Sequence, residues 1–168
     1  MGSINEAMVY FETYGMWFLF IIVYLEYLNL PGLPAGIIMP AIGVLIAHSK
    51  YNFLFVLTIS VIAGVLGSIC LYYVGYLIGN PVLHWIYSKF PKTRKSVDKV
   101  TMYCEKFGNK GVFVCRLMPV ARTLVSLTAG TLRDNVLSFT LYSIPGIMIW
   151  NTVTIMSGYL ASKAIISL

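Results

Sequence analysis

Arg116 and Arg122 stand six residues apart in the apolar run VFVCRLMPVARTLVSLTAG, with Pro119 between them. A charged side chain at the centre of a bilayer costs about 2.5–3.5 kcal/mol on insertion scales, so two in one apolar run call for a compensating partner. An arginine fork donates two parallel hydrogen bonds and keeps its charge, which suits a phosphate. On a continuous helix the two would point about 120° apart. Pro119 removes a helical hydrogen bond and lets the chain turn, so both guanidiniums can converge on one anion. The alternative is that either arginine snorkels to the membrane interface.

Glu26 is the acid of the first apolar run, in FLFIIVYLEYLNLPG directly before PGLPAG. Three roles compete for it: ion-pair partner of an arginine, proton carrier, or charge at a helix end. Low dielectric raises a carboxyl pKa and favours proton transfer, whereas a nearby arginine lowers it. No metal site or catalytic base suggests itself. His48 and His84 are single and far apart, and Cys70, Cys104 and Cys115 lack metal-ligand spacing and read as reduced structural thiols.

The elements that must position these groups are membrane helices. Of 168 residues, 58% are hydrophobic and 11% charged, against roughly 25% charged in soluble domains. Charge-free runs lie between Lys50 and Lys89 and between Asp134 and Lys163, each longer than the ~20 residues a spanning helix needs. The expectation is an all-α polytopic membrane protein. The first fifteen residues carry Glu6 and Glu12 and no Lys or Arg, so no cleavable signal peptide is expected.

Four apolar stretches follow one another. The first, Met16 to Ala47, is broken at Pro31, Gly32, Pro34 and Gly36, and again at Pro40. Phe53 to Gly79 is uninterrupted. The third, Gly111 to Gly130, holds the arginines, with breaks expected at Pro119 and Gly130. Val136 to Ala161 spans again, with a kink expected at Pro145-Gly146. The order is broken stretch, span, basic loop, broken stretch, span. If each broken stretch is a re-entrant hairpin, two inverted halves result, each a hairpin followed by a transmembrane helix. Interrupted segments at corresponding positions mark transporter sites near the midplane, and irregular backbone at that depth implies a cavity. Four or five kinked spans without a cavity are the plainer alternative.

As a single domain over 1–168, the first half covers about 14–79, the basic loop about 84–110 and the second half about 111–162. Seven Lys/Arg between Lys89 and Lys110 face Asp98 and Glu105, placing that loop on the cytoplasmic side. Ser60, Gly64, Ser68, Gly75 and Gly79 are small residues suited to close helix packing. Tyr72, Tyr73 and Tyr76 read as packing or interfacial aromatics.

The run EKFGNKGVFVCRLMPVARTLVSLTAGTLRDNVLSF, Glu105 to Phe139, resembles the motif of the DedA family, the SNARE-associated or VTT-domain membrane proteins. Its pattern has R-x-x-P-x-x-R, then A-G and a later F. These are Arg116, Pro119, Arg122, Ala129-Gly130 and Phe139, with Phe107 and its following glycines upstream. AGVLGSICLYYVGYLIG and LEYLNLPGLPAGIIMP are similar to its first-half motifs, and Gly146, Trp150 and Gly158 fit its closing helix. The sequence departs at Gly36 and Ser68, where many members have acids, and at Tyr76, where a base is common.

The resemblance implies a flippase- or scramblase-like lipid transporter of the bacterial cytoplasmic membrane, working through two facing re-entrant hairpins. Its expected cargo is a phosphate-headed lipid, with undecaprenyl phosphate ahead of phosphatidylethanolamine or phospholipids in general. Arg116 and Arg122 would bind the phosphate and Glu26 would release it by competing for them. No cofactor is expected beyond coupling to a proton or sodium gradient, in which Glu26 would act alone given Gly36 and Ser68. Expected partners are membrane lipids and, as an option, further copies of the chain; no nucleic acid. A lipid phosphatase would want a nucleophile and base beside the arginines. A proton-coupled exporter of cations could use Glu26 but would meet repulsion from the arginines. A structural membrane role is the remaining alternative.

Overall fold

A computed structural model describes residues 2–28, 36–49, 51–89, 91–119 and 121–166. Among them the chain forms seven helices and no strand. These are α1 (Gly2–Tyr27), α2 (Ile38–Ala47), α3 (Phe53–Lys89), α4 (Pro91–Phe107), α5 (Asn109–Arg116), α6 (Ala121–Thr131) and α7 (Val136–Ile166). Two stretches are long and apolar enough to cross a membrane, Phe53–Gly79 and Val136–Ile165. The other apolar helices are shorter. α1 breaks at Gly15, where φ is 52° and ψ −126°, leaving an apolar piece Gly15–Tyr27. At 1.5 Å per residue these 13 residues reach about 20 Å, and the 10 of α2 about 15 Å, both short of the ~30 Å hydrocarbon core.

Contacts divide the chain into two units, Met1–Gly64 with Asn151–Leu168, and Val65–Trp150. The boundaries fall inside α3 and α7.

In the first unit, α2 lies against the C-terminal part of α7 through small residues. A Cβ on Gly43 would fall on the Ile155 carbonyl, and one on Gly158 on the Pro40 carbonyl. Leu19, Val23, Met39, Ile42, Val56 and Ile155 fill the interior.

In the second unit, the basic region contains the helix α4. Val97, Val100 and Cys104 are buried on one face of α4 while Asp98, Lys99, Glu105 and Lys106 stay exposed. The spacing of three and four follows the 3.6-residue turn, and this face packs with Val112, Cys115, Leu124, Val125 and Phe139. α3 and α6 meet backbone to backbone. Cβ atoms on Gly75 and Gly130 would fall on the carbonyls of Leu127 and Tyr72, which is the close approach that small residues permit in membrane helices. α7 runs as one helix through Pro145.

Candidate functional site

The second unit holds both arginines. α5 ends at Arg116, the chain turns over Leu117–Pro119, and α6 starts at Ala121. Pro119 is exposed in that turn, as expected of a break. The turn is closed by Leu117 and Met118 amides donating to Val114 and Cys115 carbonyls, and by the Arg122 amide donating to Met118 O at 2.9 Å.

Arg116 is 2% exposed and Arg122 6%, so neither snorkels out of the protein. The Arg116 fork is held at several points. Nη2 donates to Ser126 Oγ at 2.9 Å and to Ser143 Oγ at 3.2 Å. Nε donates to Ser143 Oγ at 3.3 Å, and Nη1 to the Arg122 carbonyl at 3.4 Å. Each of these acceptors is a neutral oxygen, and together they orient the guanidinium. The Arg116 guanidinium also lies 5.4 Å from the Phe139 ring centre, and that of Arg122 4.8 Å from the Trp150 ring. Such contacts stabilise a desolvated cation by about 2 kcal/mol.

α7 makes room for this arrangement at Gly146. A Cβ there would sit 2.5 Å from Arg116 Cβ and 3.1 Å from its Cγ. The structure therefore brings together Arg116, Arg122 and Pro119, along with Gly146, Phe139 and Trp150. It adds Ser126 and Ser143, which the sequence did not single out. The available signal was a hydroxyl inside each apolar run, Ser126 four residues after Arg122 and Ser143 in LYSIPG.

Gly130 corrects an expectation. It is helical, one residue before the end of α6, and buried. Its missing side chain admits the Tyr72 carbonyl, and the turn comes after it, at Leu132–Asn135, with Arg133 at φ 56°. Gly36 does sit at a break, exposed, with φ 98°, two residues before α2. Pro31, Gly32 and Pro34 lie outside the described residues.

Glu26 belongs to the first unit, 4% exposed, next to the last residue of α1. Beside it in sequence, Tyr27 Oη donates to Asn151 Oδ1 at 2.7 Å, and Asn151 Nδ2 donates to Ser60 Oγ at 3.1 Å. Ser60 in turn donates to the Leu57 carbonyl at 2.8 Å. This neutral chain ties α1, α3 and α7. Neither Tyr27 nor Asn151 stood out from the sequence, although an Asn inside an apolar span was a visible signal. His48 Nε2 lies 3.0 Å from Ser162 Oγ. The cysteines are free thiols, with Cys104 and Cys115 buried.

Outside the spans, Asp134 lies between α6 and α7. Its backbone carbonyl accepts from Tyr72 Oη. Burial pushes its carboxyl above the ordinary carboxylate range.

The VTT domain model matches residues 33–160. The chain belongs to the DedA family of VTT-domain membrane proteins. This DedA protein is 32% identical over 153 residues to a Staphylococcus aureus protein named undecaprenyl phosphate transporter A, covering 89% of this chain and 75% of that one. It is 28% identical over 160 residues to a Lactococcus lactis protein named alkaline phosphatase-like protein, covering 92% and 73%. With Protein DedA of Escherichia coli it shares 27% over 153 residues, covering 87% and 69%. No solved structure matches it. The arginine motif lies inside the matched region, and the relatives named as transporters place this DedA protein among membrane proteins of lipid-related transport.

Proposed function

We propose that this DedA protein is a multi-pass protein of the bacterial cytoplasmic membrane that carries undecaprenyl phosphate between leaflets. The observation that carries the reading is the buried arginine pair, Arg116 and Arg122, joined through the Arg122 carbonyl, with Arg116 held by two serine hydroxyls and Arg122 lying over the Trp150 ring. With its other donors bound to Ser126, Ser143 and the Arg122 carbonyl, Arg116 has at most one Nη1 hydrogen to offer a phosphate monoester beside the fork of Arg122, and a charge-assisted hydrogen bond is worth more than a neutral one. The prenyl chain stays in hydrocarbon throughout, so what the protein must supply is a polar refuge for the head. On this reading the short pairs α1–α2 and α5–α6 are the two re-entrant hairpins of an inverted repeat. Its partners are membrane lipids.

Transport, not hydrolysis, is the activity proposed, despite the phosphatase-like name of the Lactococcus relatives. Among the groups that touch Arg116 are two hydroxyls, a carbonyl and an aromatic ring. Those are positioning groups, and a guanidinium cannot serve either serine as a base. If transport is coupled to protons or sodium, Glu26 is the acid we assign to it.

The test is leaflet exchange in proteoliposomes, with labelled undecaprenyl phosphate and labelled phosphatidylethanolamine in parallel. Undecaprenyl phosphate should exchange, and Arg116→Ala/Arg122→Ala should abolish exchange while the protein still inserts. Exchange that survives in the double variant overturns the reading; exchange of phosphatidylethanolamine alone changes the cargo.

A further inference from the structure

A cationic pocket lies away from the arginine pair, at the Gly79 end of the α3 span. About 210 Å³ in volume, it is lined by Gly75 to Gly79, Pro81, Thr131 and Arg133. It opens where the tight α3–α6 crossing ends. Gly79 stands so close to Thr131 that a Cβ would collide with its hydroxyl. One residue earlier, α3 loses regular geometry at Ile78, with φ −133° and ψ 26°. Pro81 has no N–H to offer the Leu77 carbonyl. The wall is therefore polar although most of its side chains are not.

Arg133 supplies the charge, and its backbone is out of character for arginine. The Arg133 amide donates to Gly130 O and the Asp134 amide to Ala129 O, the closing pattern of a helix whose next residue is left-handed. At φ 56° that position favours glycine or asparagine, and a long side chain there is strained. The side chain is exposed and lies over Tyr76, 5.3 Å from its ring centre. A helix C-terminus attracts a cation, but a lysine or arginine one turn earlier would serve that end without the strain. The pocket also lies at the same end of α3 as the basic helix α4, the end that the charge distribution assigns to the cytoplasm.

We propose that this pocket is a second headgroup site, in which Arg133 receives the phosphate of a lipid at the membrane interface before or after it occupies the arginine pair. The choice of lipid rests on the function proposed above; the site itself does not. Arg133 would bind the phosphate oxygens, and Tyr76 would hold the guanidinium flat against the pocket mouth.

Native mass spectrometry of the full chain in detergent, titrated with undecaprenyl phosphate, tests this. The expected saturating stoichiometry is two lipids. Arg133→Gly and Arg133→Asn, both suited to the left-handed backbone, should melt no lower than the parent chain and should bind the second lipid roughly tenfold more weakly, as loss of a charge-assisted contact predicts. Arg116→Ala/Arg122→Ala should retain the Arg133-dependent lipid. Wild-type binding of two lipids by both Arg133 variants overturns the proposal. So does full displacement of the second lipid by inorganic phosphate at equal concentration, which would make free phosphate the ligand. If leaflet exchange is absent while Arg133-dependent binding remains, the transport reading fails and this site stands. If exchange is intact and that binding is absent, the reverse holds.

Discussion

Arg116 Nη2 and Ser126 Oγ lie 2.9 Å apart, joining the last residue of α5 to the middle of α6 across the Pro119 turn. With Ser143 on α7, this fixes the fork from two helices at once. The charge is thereby aimed before any ligand arrives, so binding need not order it.

That arrangement is breakable in steps. Each serine removed from Arg116 leaves a buried donor short of an acceptor, at a cost of about 1–3 kcal/mol. Ser126→Ala/Ser143→Ala is expected to lower thermal stability and to weaken lipid binding more than either single change. Leaflet exchange and melting curves on the three variants check this; unaltered exchange in the double variant would mean that the serines do not position the fork.

At Gly146 the expected outcome is a shift of Arg116. A methyl group there must displace its Cβ, 2.5 Å away. Gly146→Ala should therefore reduce exchange by tenfold or more, about 1.4 kcal/mol, while Gly36→Ala, with no atom of the described residues within 4 Å of its Cβ position, should report mainly the strain of its positive φ. Paired exchange assays distinguish the two.

The Tyr27–Asn151–Ser60 chain predicts non-additivity. Asn151→Leu removes the acceptor Oδ1 of the Tyr27 hydroxyl and should cost about 1–3 kcal/mol. Adding Tyr27→Phe should recover part of that loss, since removing both partners is less costly than removing one. Thermal unfolding of the two single variants and the double one measures the coupling; strict additivity would contradict the hydrogen bond's role.

Asp134 gives a pH-dependent prediction. Its folded pKa is raised by burial, so the native state holds its proton more tightly than the unfolded chain. Stability from this group is present below the ordinary value of 3.8 and is lost as pH rises through the folded pKa. Asp134→Asn should melt higher than the parent at neutral pH, with the difference shrinking on acidification. Melting temperatures across pH 3 to 8, on the order of the carboxyl range, decide it.

Much of this architecture was legible because membrane insertion makes composition speak loudly. Phe53 to Gly79 and Val136 onward read as spans from missing charge alone, and the two arginines stood out for the opposite reason. The proline turn at Pro119 was equally visible, since proline cannot donate. Gly130 misled because a glycine near the end of an apolar run reads equally as a stop or as a contact; only the Tyr72 carbonyl beside it decides. The α4 helix was hidden under its lysines, because charge density reports topology while Val97, Val100 and Cys104 report the buried face. Ser126 and Ser143 escaped because a lone hydroxyl in a membrane helix usually bonds its own backbone, as Thr128 does with the Leu124 carbonyl.

The α3–α6 crossing is made of main chain on main chain at Gly75 and Gly130. Such a joint has no rotamers to exchange, so it cannot yield gradually. It acts as a ruler: each residue of α6 is pinned at a set height along the span, in steps of about 1.5 Å. The depth of Arg122, two turns up the same helix, is thus calibrated by glycines that never touch it.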